Sequence, residues 1–249
     1  MIFFFPKSKP RLSSLIPHGY VDIHSHLLPG LDDGSKNIEE TIRLLETAKR
    51  YQFSQCITTP HTMEGVWEND KQGILKTLIK TREQLPNFLQ SMLVRTASEY
   101  MLDHSLMHRL QNEALLCLKD RYLLVEMSYL KPPLALHEIL FELKLHGYTP
   151  VLAHPERYLY FKNSIDTYEK FKSEGFLFQL NLLSVTGYYG PDVLLFANQL
   201  LEHNFIDVVG SDIHHIKHFE AFGHQIKVRS GTHLQEAMLR NSMFAPSGV

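Results

Sequence analysis

Seven short apolar segments of this 249-residue chain each end in, or are followed by, a polar residue of a kind that binds metals or takes part in catalysis. We predict these segments to be β-strands because they are rich in β-branched and aromatic residues and are bounded by turn signals. They span Tyr20–His24, Gln55–Thr59, Leu93–Ala97, Tyr122–Met127, Thr149–Ala153, Phe176–Leu180 and Ile206–Gly210. Successive polar residues lie roughly 27 to 38 residues apart, the length of a strand plus a crossover helix.

Helical patterns lie between these segments. Asn37, with Glu40 three residues later, resembles a capping box and predicts a helix that begins there. Asn69 is predicted to open a second helix, and another is expected over Leu136–Leu145, ending before Gly147. Strands and helices therefore alternate along most of the chain.

This alternation predicts an α/β fold with a parallel sheet in a single domain over residues 1–249. We favour a (β/α)7 barrel, in which the loops at the carboxyl ends of the strands build the site. An open doubly wound sheet is the competing architecture, and it would gather ligands at one switch point. A hydrophobic content of 44% is sufficient for a buried core in either case.

Charge, cysteine content and the chain ends limit the partners and the compartment. The net charge of -2 provides no overall basic field, so no nucleic-acid partner is expected. Two cysteines without a CxxC pair suit a reducing cytoplasm. Residues 1–18 are expected to be a tail packed on the barrel or, alternatively, a docking arm with at most weak membrane association through its basic residues. Residues 245–249 are expected to fray.

The first segment carries His24-Ser25-His26. Because side chains alternate along a strand, both imidazoles point to the same side and can chelate one cation. Such a pair is common, and a structural role for one of the histidines is equally compatible with it. The carboxylate pair Asp32-Asp33 follows in a turn-prone loop that can fold back over the same point.

Nine side chains of metal-ligand type would meet at the mouth of such a barrel. They are His24, His26, Asp33, His61, Glu99, Glu126, His154, Asp212 and His214. Five imidazoles and four carboxylates are too many for one ion, so two or three ions are expected, and imidazoles suit iron, zinc and manganese. Glu126 ends an otherwise apolar strand, where a carboxylate stays ionised only if it is paired or metal-bound.

Six motifs occur in a fixed order between Val21 and His218: HSHLLPGLDDG, TTPH, SEY, LLVEMS, LAHPERY and GSDIHH. In order and spacing they resemble the PHP (polymerase and histidinol phosphatase) superfamily, and within it the bacterial tyrosine phosphatases that accompany capsule and exopolysaccharide tyrosine kinases. The resemblance implies a distorted, TIM-like seven-stranded barrel with a trinuclear metal cluster, manganese being favoured over iron or zinc. It also implies hydrolysis of phosphotyrosine on a kinase or a glycan-assembly protein.

The same resemblance implies roles for individual residues. The nine side chains above would be the metal ligands, and Arg157 of LAHPERY would hold the phosphate. Independently of the resemblance, His214 or His215 could assist catalysis as a general acid. Members of the family often carry another arginine after the Ser-Asp-x-His motif, where this chain offers Lys217 or His218. Asn181 is expected at the mouth of the site, together with an aromatic rim of Tyr158, Tyr160, Tyr188 and Tyr189.

The ligand inventory favours metal-assisted hydrolysis without a covalent intermediate, in which a bound water with its pKa lowered from ~15.7 toward ~7 attacks as hydroxide. No Cys-x5-Arg loop is present, and Cys56 and Cys117 are predicted to be core residues. Three alternatives stay open: hydrolysis of a small phosphoester such as histidinol phosphate, cleavage of a C–N bond, and a metal-stabilised module that binds a kinase. No predicted strand ends in the lysine that many C–N hydrolases carbamylate.

Overall fold

The computed structural model describes residues 8–246. Its strands are β1 Tyr20–Asp22, β2 Phe53–Thr58, β3 His61–Thr62, β4 Leu93–Thr96, β5 Glu99–Met101, β6 Tyr122–Glu126, β7 Thr149–Ala153, β8 Leu177–Asn181 and β9 Val208–Gly210. Its helices are α1 Ile38–Arg50, α2 Lys71–Gln84, α3 Asn87–Gln90, α4 His104–Asn112, α5 Leu136–Leu145, α6 Ile165–Ser173, α7 Pro191–Glu202 and α8 Gly231–Arg240. The predicted alternation of strands and helices is confirmed.

The strands form two parallel sheets. One has the order β1-β2-β4, and the other has the order β3-β5-β6-β7-β8-β9. No barrel is closed within residues 8–246, so the parallel α/β character of the prediction holds and the closed seven-stranded barrel is not confirmed.

The division between the sheets falls at two interruptions, Thr59-Pro60 and Ala97-Ser98. Pro60 has no N–H to donate to a neighbouring strand. The hydroxyls of Thr96 and Ser98 donate to the backbone oxygens of Thr58 and Pro60, at 3.0 and 2.8 Å. The same two oxygens also accept the N–H groups of Ala97 and Glu99, at 2.9 and 3.1 Å. Beyond these interruptions lie the short strands β3 and β5, which are additional to the seven predicted strands and follow the predicted Gln55–Thr59 and Leu93–Ala97.

The chain segments that follow β1 and β9 lie side by side. Ser25 and Ile213 form an isolated parallel bridge, and Asp212 N–H donates to the backbone oxygen of His24 at 2.7 Å. His26 N–H donates to Ile213 O at 2.9 Å. The first and last strands of the fold are thus linked just where their candidate ligands begin.

Apolar side chains from both sheets share one cluster. Val21 of β1 and Ile57 of β2 belong to it together with Leu124, Val151 and Val208 of the larger sheet. All five are buried. The larger apolar core packs the helices against the strands, which places the strand ends on a rigid base.

The helix ends test the local predictions. The Asn37 side chain accepts the N–H of Glu40 at 2.9 Å and caps α1, as predicted. The prediction for Asn69 is wrong: Asp70 caps α2 by accepting the N–H of Gly73 at 2.7 Å. Asn69 instead donates to the backbone oxygens of Leu31 and His61, because its amide can reach both loops beside the site.

The described part of the N-terminal tail packs on the protein. Lys9 Nζ donates to the backbone oxygens of Lys227 and Val228, at 2.8 and 3.0 Å, and Leu12 is buried in a 3₁₀ turn over Leu12–Leu15. Residues 1–7 of the predicted arm and 247–249 of the predicted frayed end lie outside the described residues. None of the helices found in residues 8–246 combines the length and the apolarity that a membrane span requires.

Candidate metal centre and catalytic cavity

The predicted ligands stand at or just beyond strand ends on one side of the fold. Glu126 ends β6, His154 follows β7, and Asp212 and His214 follow β9. The two interrupted regions supply His61, which opens β3, and Glu99, which opens β5. Parallel strands bring their carboxyl ends to the same edge, so residues far apart in the chain meet there.

The nine predicted ligands fall into four overlapping groups. Within each group, the ligand atoms lie within 4.8 Å of one another. The groups are His26-Asp33-His61-His214, His24-Glu99-His154, His24-His26-Asp212 and His61-Glu99-Glu126. Four side chains belong to two groups: His24, His26, His61 and Glu99. Of these, Glu99 is the carboxylate, with two oxygens available as ligands.

Glu99 lies at the centre of the cluster and is fully buried. Its Oε1 is 3.0 Å from Nε2 of His154, and its Oε2 is 3.0 Å from Nε2 of His24 and 3.2 Å from Nδ1 of His61. One carboxylate thus contacts imidazoles from three parts of the chain. This position allows Glu99 to bridge two ions.

The outer part of the cluster faces the solvent. His61 Nδ1 is 2.9 Å from Oε1 of Glu126, and the exposed Asp33 places its Oδ1 3.3 Å from Nε2 of His214. The His214 ring stacks on His26 with centroids 3.8 Å apart. An ion held here would be accessible from outside, while the Glu99 side is closed off.

Three polar residues orient the candidate ligands: Asp32, which belongs to the carboxylate pair noted in the sequence, and Gln179 and Asp22, which the sequence did not single out. Asp32 Oδ2 lies 2.7 Å from Nδ1 of His26, and Gln179 Oε1 lies 2.7 Å from Nδ1 of His24. Both contacts fix the ring orientation so that each Nε2 faces the cluster. A third residue, Asp22, accepts from the N–H of Ser211, next to Asp212.

Two ligand positions adopt an unusual backbone conformation. His154 has φ 36° and Asp212 has φ 52°, in the left-handed region that non-glycine residues rarely occupy. Such a conformation costs about 1–3 kcal/mol and is typical of functional sites. Gly210 permits the close approach of β9, because a Cβ there would lie 2.6 Å from the Cβ of His24.

Burial and the neighbouring imidazoles set the charges in the cluster. Burial opposes ionisation of Glu99 and Asp212, yet the adjacent His24 holds the pKa of both carboxyls well below the usual range. Burial lowers the pKa of His154 to about 4. The charge of Glu99 raises the pKa of His61 to about 9 against the opposite effect of burial.

These residues fit divalent cations. Nε2 of His24 and Nε2 of His26 lie 3.3 Å apart, and both also approach Oδ1 of Asp212, at 3.3 and 3.4 Å. Two imidazole nitrogens and a carboxylate oxygen that point at one place form a normal donor set for zinc, iron or manganese.

Arg157 lies beside this donor set in the wall of a cavity of about 810 Å³. Its guanidinium carbon is 4.4 Å from the ring centroid of Tyr129 and 4.3 Å from that of Tyr189. Nη1 donates to Oδ2 of Asp212 at 3.0 Å. The guanidinium is therefore packed against two aromatic rings, and its positive charge lies beside Asp212 in the cavity lining.

Part of the cavity lining is apolar. Met63, Trp67, Met101, Met127 and Leu130 contribute to it, alongside the polar Glu64, Asp103 and Ser128. Trp67 is half-buried in a short turn that is closed by a bridge between Met63 and Trp67. The cavity therefore offers thioether and indole surface to an aromatic ring of a ligand.

The aromatic residues predicted at the rim have different positions. Tyr189 lines the cavity, whereas Tyr158 is buried and donates its hydroxyl to Ala153 O at 3.0 Å. Tyr160 donates to Ser128 O, and Tyr188 is exposed outside the cavity lining. Tyr129, which was not predicted, is the second ring against Arg157.

Two further predicted residues, Asn181 and Lys217, do not line the cavity. Asn181 is buried, and its amide donates to Oδ2 of Asp212 at 2.9 Å, so it positions a candidate ligand. Lys217 is exposed and does not line the cavity, whereas His218 does. His218 Nδ1 accepts the N–H of His214 at 3.2 Å, which leaves the proton of a neutral ring on Nε2.

Glu156 joins the loops that carry these residues. This fully buried carboxyl accepts from the N–H of Asn181 at 3.0 Å and the hydroxyl of Ser184 at 2.7 Å. Burial raises the pKa of Glu156 to about 7. It lies within the LAHPERY motif, and its buried polar contacts explain why a carboxylate precedes Arg157.

The cysteines lie apart from the cavity. Cys56 is buried in β2, and Cys117 is half-buried. Burial raises the pKa of both thiols, that of Cys117 to about 11. Neither is activated as a nucleophile, in agreement with the prediction that they are core residues.

Comparisons with known proteins agree with this geometry. The sequence profile of the family described as "Capsular polysaccharide synthesis, CpsB/CapC" matches residues 20–226. The chain is 29% identical over 198 residues to the tyrosine-protein phosphatase YwqE of Bacillus subtilis, covering 79% of this chain and 78% of that protein. It is 27% identical over 202 residues to the tyrosine-protein phosphatase CpsB of Streptococcus pneumoniae, covering 79% and 83%.

A solved structure shares the fold. It comes from work on YwqE of Bacillus subtilis and CpsB of Streptococcus pneumoniae, described as unique metal-dependent tyrosine phosphatases. The similarity has a TM-score of 0.73 at 27% identity and covers 90% of this chain and 86% of that chain.

Proposed function

This chain belongs to the CpsB/CapC family of capsular polysaccharide synthesis, and on that basis we propose that it is a metal-dependent protein tyrosine phosphatase. The observation that carries the proposal is the position of Arg157, 3.0 Å from a carboxylate shared by the cluster of imidazoles. A cation-binding donor set and a phosphate-binding arginine then face the same cavity. This is the arrangement needed to hydrolyse a phosphate monoester.

We propose that the nine residues of the cluster hold two or three ions, with manganese the first candidate and iron or zinc the next. When bound, the ions would supply a water of lowered pKa and neutralise charge on the phosphoryl oxygens. The four overlapping groups of ligand atoms support more than one ion.

We propose that Arg157 orients the phosphoryl group. Its packing between Tyr129 and Tyr189 limits its motion, so the fork of donors needs little ordering when the substrate binds. His218 lines the cavity as a neutral donor through Nε2 and is a better candidate than Lys217 for a second phosphate contact. Asn181 supports Asp212 from behind.

His214 fits a ligand role better than that of a proton donor. Its Nδ1 lies 3.0 Å from the backbone oxygen of Asp212, so the proton of a neutral ring belongs on Nδ1. The lone pair of Nε2 then points toward Asp33 and the cluster. Little acid assistance is needed, because the phenol of tyrosine, with a pKa of ~10, is a fair leaving group.

The apolar part of the cavity lining favours an aryl phosphate over a small aliphatic one. A phosphotyrosyl ring would lie against Trp67 and the methionines while its phosphate contacts Arg157. We propose as substrate a phosphotyrosyl protein, namely a bacterial tyrosine kinase of capsule or exopolysaccharide assembly. We also propose a cytoplasmic location, which the two unpaired cysteines support.

We further propose that residues 1–249 form one domain and that the two sheets are parts of a single distorted (β/α)7 barrel of the PHP type. The Ser25–Ile213 bridge and the apolar cluster shared by both sheets support this view. An experimental structure with metal bound would test it, because ligation at both sheets should draw β1 and β9 together.

The experiment that tests the function compares p-nitrophenyl phosphate, a phosphotyrosyl peptide and histidinol phosphate as substrates. The purified protein is assayed before and after chelation, and again with Mn²⁺, Fe²⁺ or Zn²⁺ added back. We expect activity that chelation abolishes, that metal restores, and that is greatest on the phosphotyrosyl peptide. Preference for histidinol phosphate would replace the proposal, and metal binding without hydrolysis would point to a binding module.

A further inference from the structure

A second depression of about 520 Å³ lies between α4 and α5, beside the catalytic cavity. Leu102 and Ile139, both buried, and the half-buried Met107 contribute apolar surface to it. Pro133 and Leu134, from the segment before α5, line it as well. We call this depression the α4–α5 groove.

The groove adjoins the catalytic cavity at Asp103. Asp103 lines both depressions, and its side chain is fixed because it accepts the N–H of Leu106 at 3.0 Å and that of Glu64 at 3.2 Å. Leu130 lines the cavity and Leu134 lines the groove, and both belong to the same short segment. A chain that leaves the cavity past Asp103 therefore reaches the groove directly.

The segment between the two depressions presents apolar side chains to solvent. Leu130 is 90% exposed and Leu134 is 97% exposed. Covering an exposed leucine side chain is favourable, and exposed apolar groups that border a groove are typical of interaction sites. The groove also has a polar rim that can pair with a peptide backbone, formed by His104, His108, Gln111 and Glu138.

We infer that the α4–α5 groove binds the part of the substrate protein next to its phosphotyrosine, through an apolar side chain of leucine or methionine size. The inference rests on the proposed phosphatase function and adds a second recognition site to it. The position of the groove beside the catalytic cavity is the reason for assigning the groove to the substrate and not to a second copy of this chain.

The test replaces Leu134 with aspartate and measures two substrates with metal-loaded protein. For a phosphotyrosyl peptide that carries one leucine near the phosphotyrosine, we expect kcat/KM to fall about tenfold, mainly through KM. For p-nitrophenyl phosphate, which is too small to reach the groove, we expect no change. Leu239→Asp is the matched control, because Leu239 is 58% exposed on α8 and lines neither depression.

A second variant and a peptide series guard against misinterpretation. Ala135→Glu alters the same wall at another exposed position and should have the same effect. In the series, one leucine is moved through the positions on both sides of phosphotyrosine while the others are alanine. Wild-type protein should favour leucine at particular positions, and Leu134→Asp should lose that preference.

The possible outcomes separate the two proposals. If the wild type hydrolyses p-nitrophenyl phosphate and Leu134→Asp treats every peptide as the wild type does, the groove inference is wrong and the phosphatase proposal stands. If Leu134→Asp converts a wild-type dimer to a monomer, the groove holds a second copy and the inference is also wrong. If the wild type hydrolyses neither substrate at any metal loading, the proposed function fails, and the inference fails with it.

Discussion

Nη1 of Arg157 donates to Oδ2 of Asp212 at 3.0 Å, while Oδ1 of the same carboxylate lies 3.3 Å from Nε2 of His24. The single carboxylate of Asp212 therefore connects the arginine to the candidate metal cluster. Its backbone is held in the left-handed region with φ 52°. The proposed phosphate site and the candidate metal site therefore share the Asp212 carboxylate. Variants at one site should be examined for effects at the other.

Arg157→Lys and Arg157→Ala should each keep the metals and lower kcat/KM for p-nitrophenyl phosphate by about 100-fold. Lysine keeps the charge but loses the planar fork and the stacking between Tyr129 and Tyr189. Steady-state kinetics and elemental analysis of bound metal measure the two effects separately. Loss of metal in Arg157→Lys would mean instead that Arg157 acts mainly by holding Asp212.

Asp32→Asn should weaken metal binding by about 10- to 100-fold, because Asp32 orients His26 through its Nδ1 at 2.7 Å. Activity should fall at limiting Mn²⁺ and recover at high Mn²⁺. The measurement is a titration of the chelated protein with metal, using activity as the readout. Glu169→Gln, an exposed carboxylate on α6, is the control and should titrate as wild type. Activity that excess metal does not restore would count against a positioning role.

His218→Ala should raise KM for the phosphotyrosyl peptide by about tenfold, and Lys217→Ala should change it by less than about twofold. The reason is that His218 lines the cavity whereas Lys217 is exposed outside it. Metal content should be unchanged in both proteins. The reverse order of effects would show that Lys217 supplies the second phosphate contact in place of the family's arginine.

Glu156→Gln should remove part of the pH dependence of stability. Burial raises the pKa of Glu156 to about 7 in the folded protein, against about 4.3 in an unfolded chain. Because the folded state binds the proton more tightly, this group stabilises the fold below pH ~4 relative to higher pH. That contribution, on the order of 4 kcal/mol, is lost as the pH rises from about 4 to about 7.

Urea unfolding of the chelated wild type and of Glu156→Gln between pH 5 and 8 measures this difference. As the pH rises, the unfolding free energy of the wild type should fall relative to that of Glu156→Gln. Equal pH profiles for the two proteins would mean that Glu156 stays ionised throughout, held by Asn181 N–H and the Ser184 hydroxyl.

Much of the fold was predictable from local patterns. The alternation of apolar strands with capped helices predicted the parallel α/β arrangement, and Asn37 was identified correctly as a cap because its partner Glu40 lies only three residues away. Asn69 was the wrong choice beside Asp70, since both residues can cap a helix. Which of the two caps the helix is decided by Leu31 and His61, because their backbone oxygens accept hydrogen bonds from the Asn69 amide.

The candidate site was predictable where strand ends deliver the side chains. The structure brings all nine predicted ligands into the overlapping groups. It also shows that Asp32, noted in the sequence only as part of a carboxylate pair, orients His26. It adds Gln179 and Tyr129, which local sequence does not distinguish from ordinary polar or loop residues. A buried glutamine between Phe178 and Leu180 in β8 was the one available signal, because a polar residue in an apolar strand needs a partner.

The sequence by itself determined which chemical groups stand at the ends of the strands, because strand alternation and turn signals are short-range properties of the chain. Only the tertiary structure decided which carboxylate orients His26, that the arginine lies between Tyr129 and Tyr189, and where the sheet divides near Pro60. Those features depend on distances between segments that are far apart in sequence. Packing of the whole core sets such distances, and no local pattern encodes them.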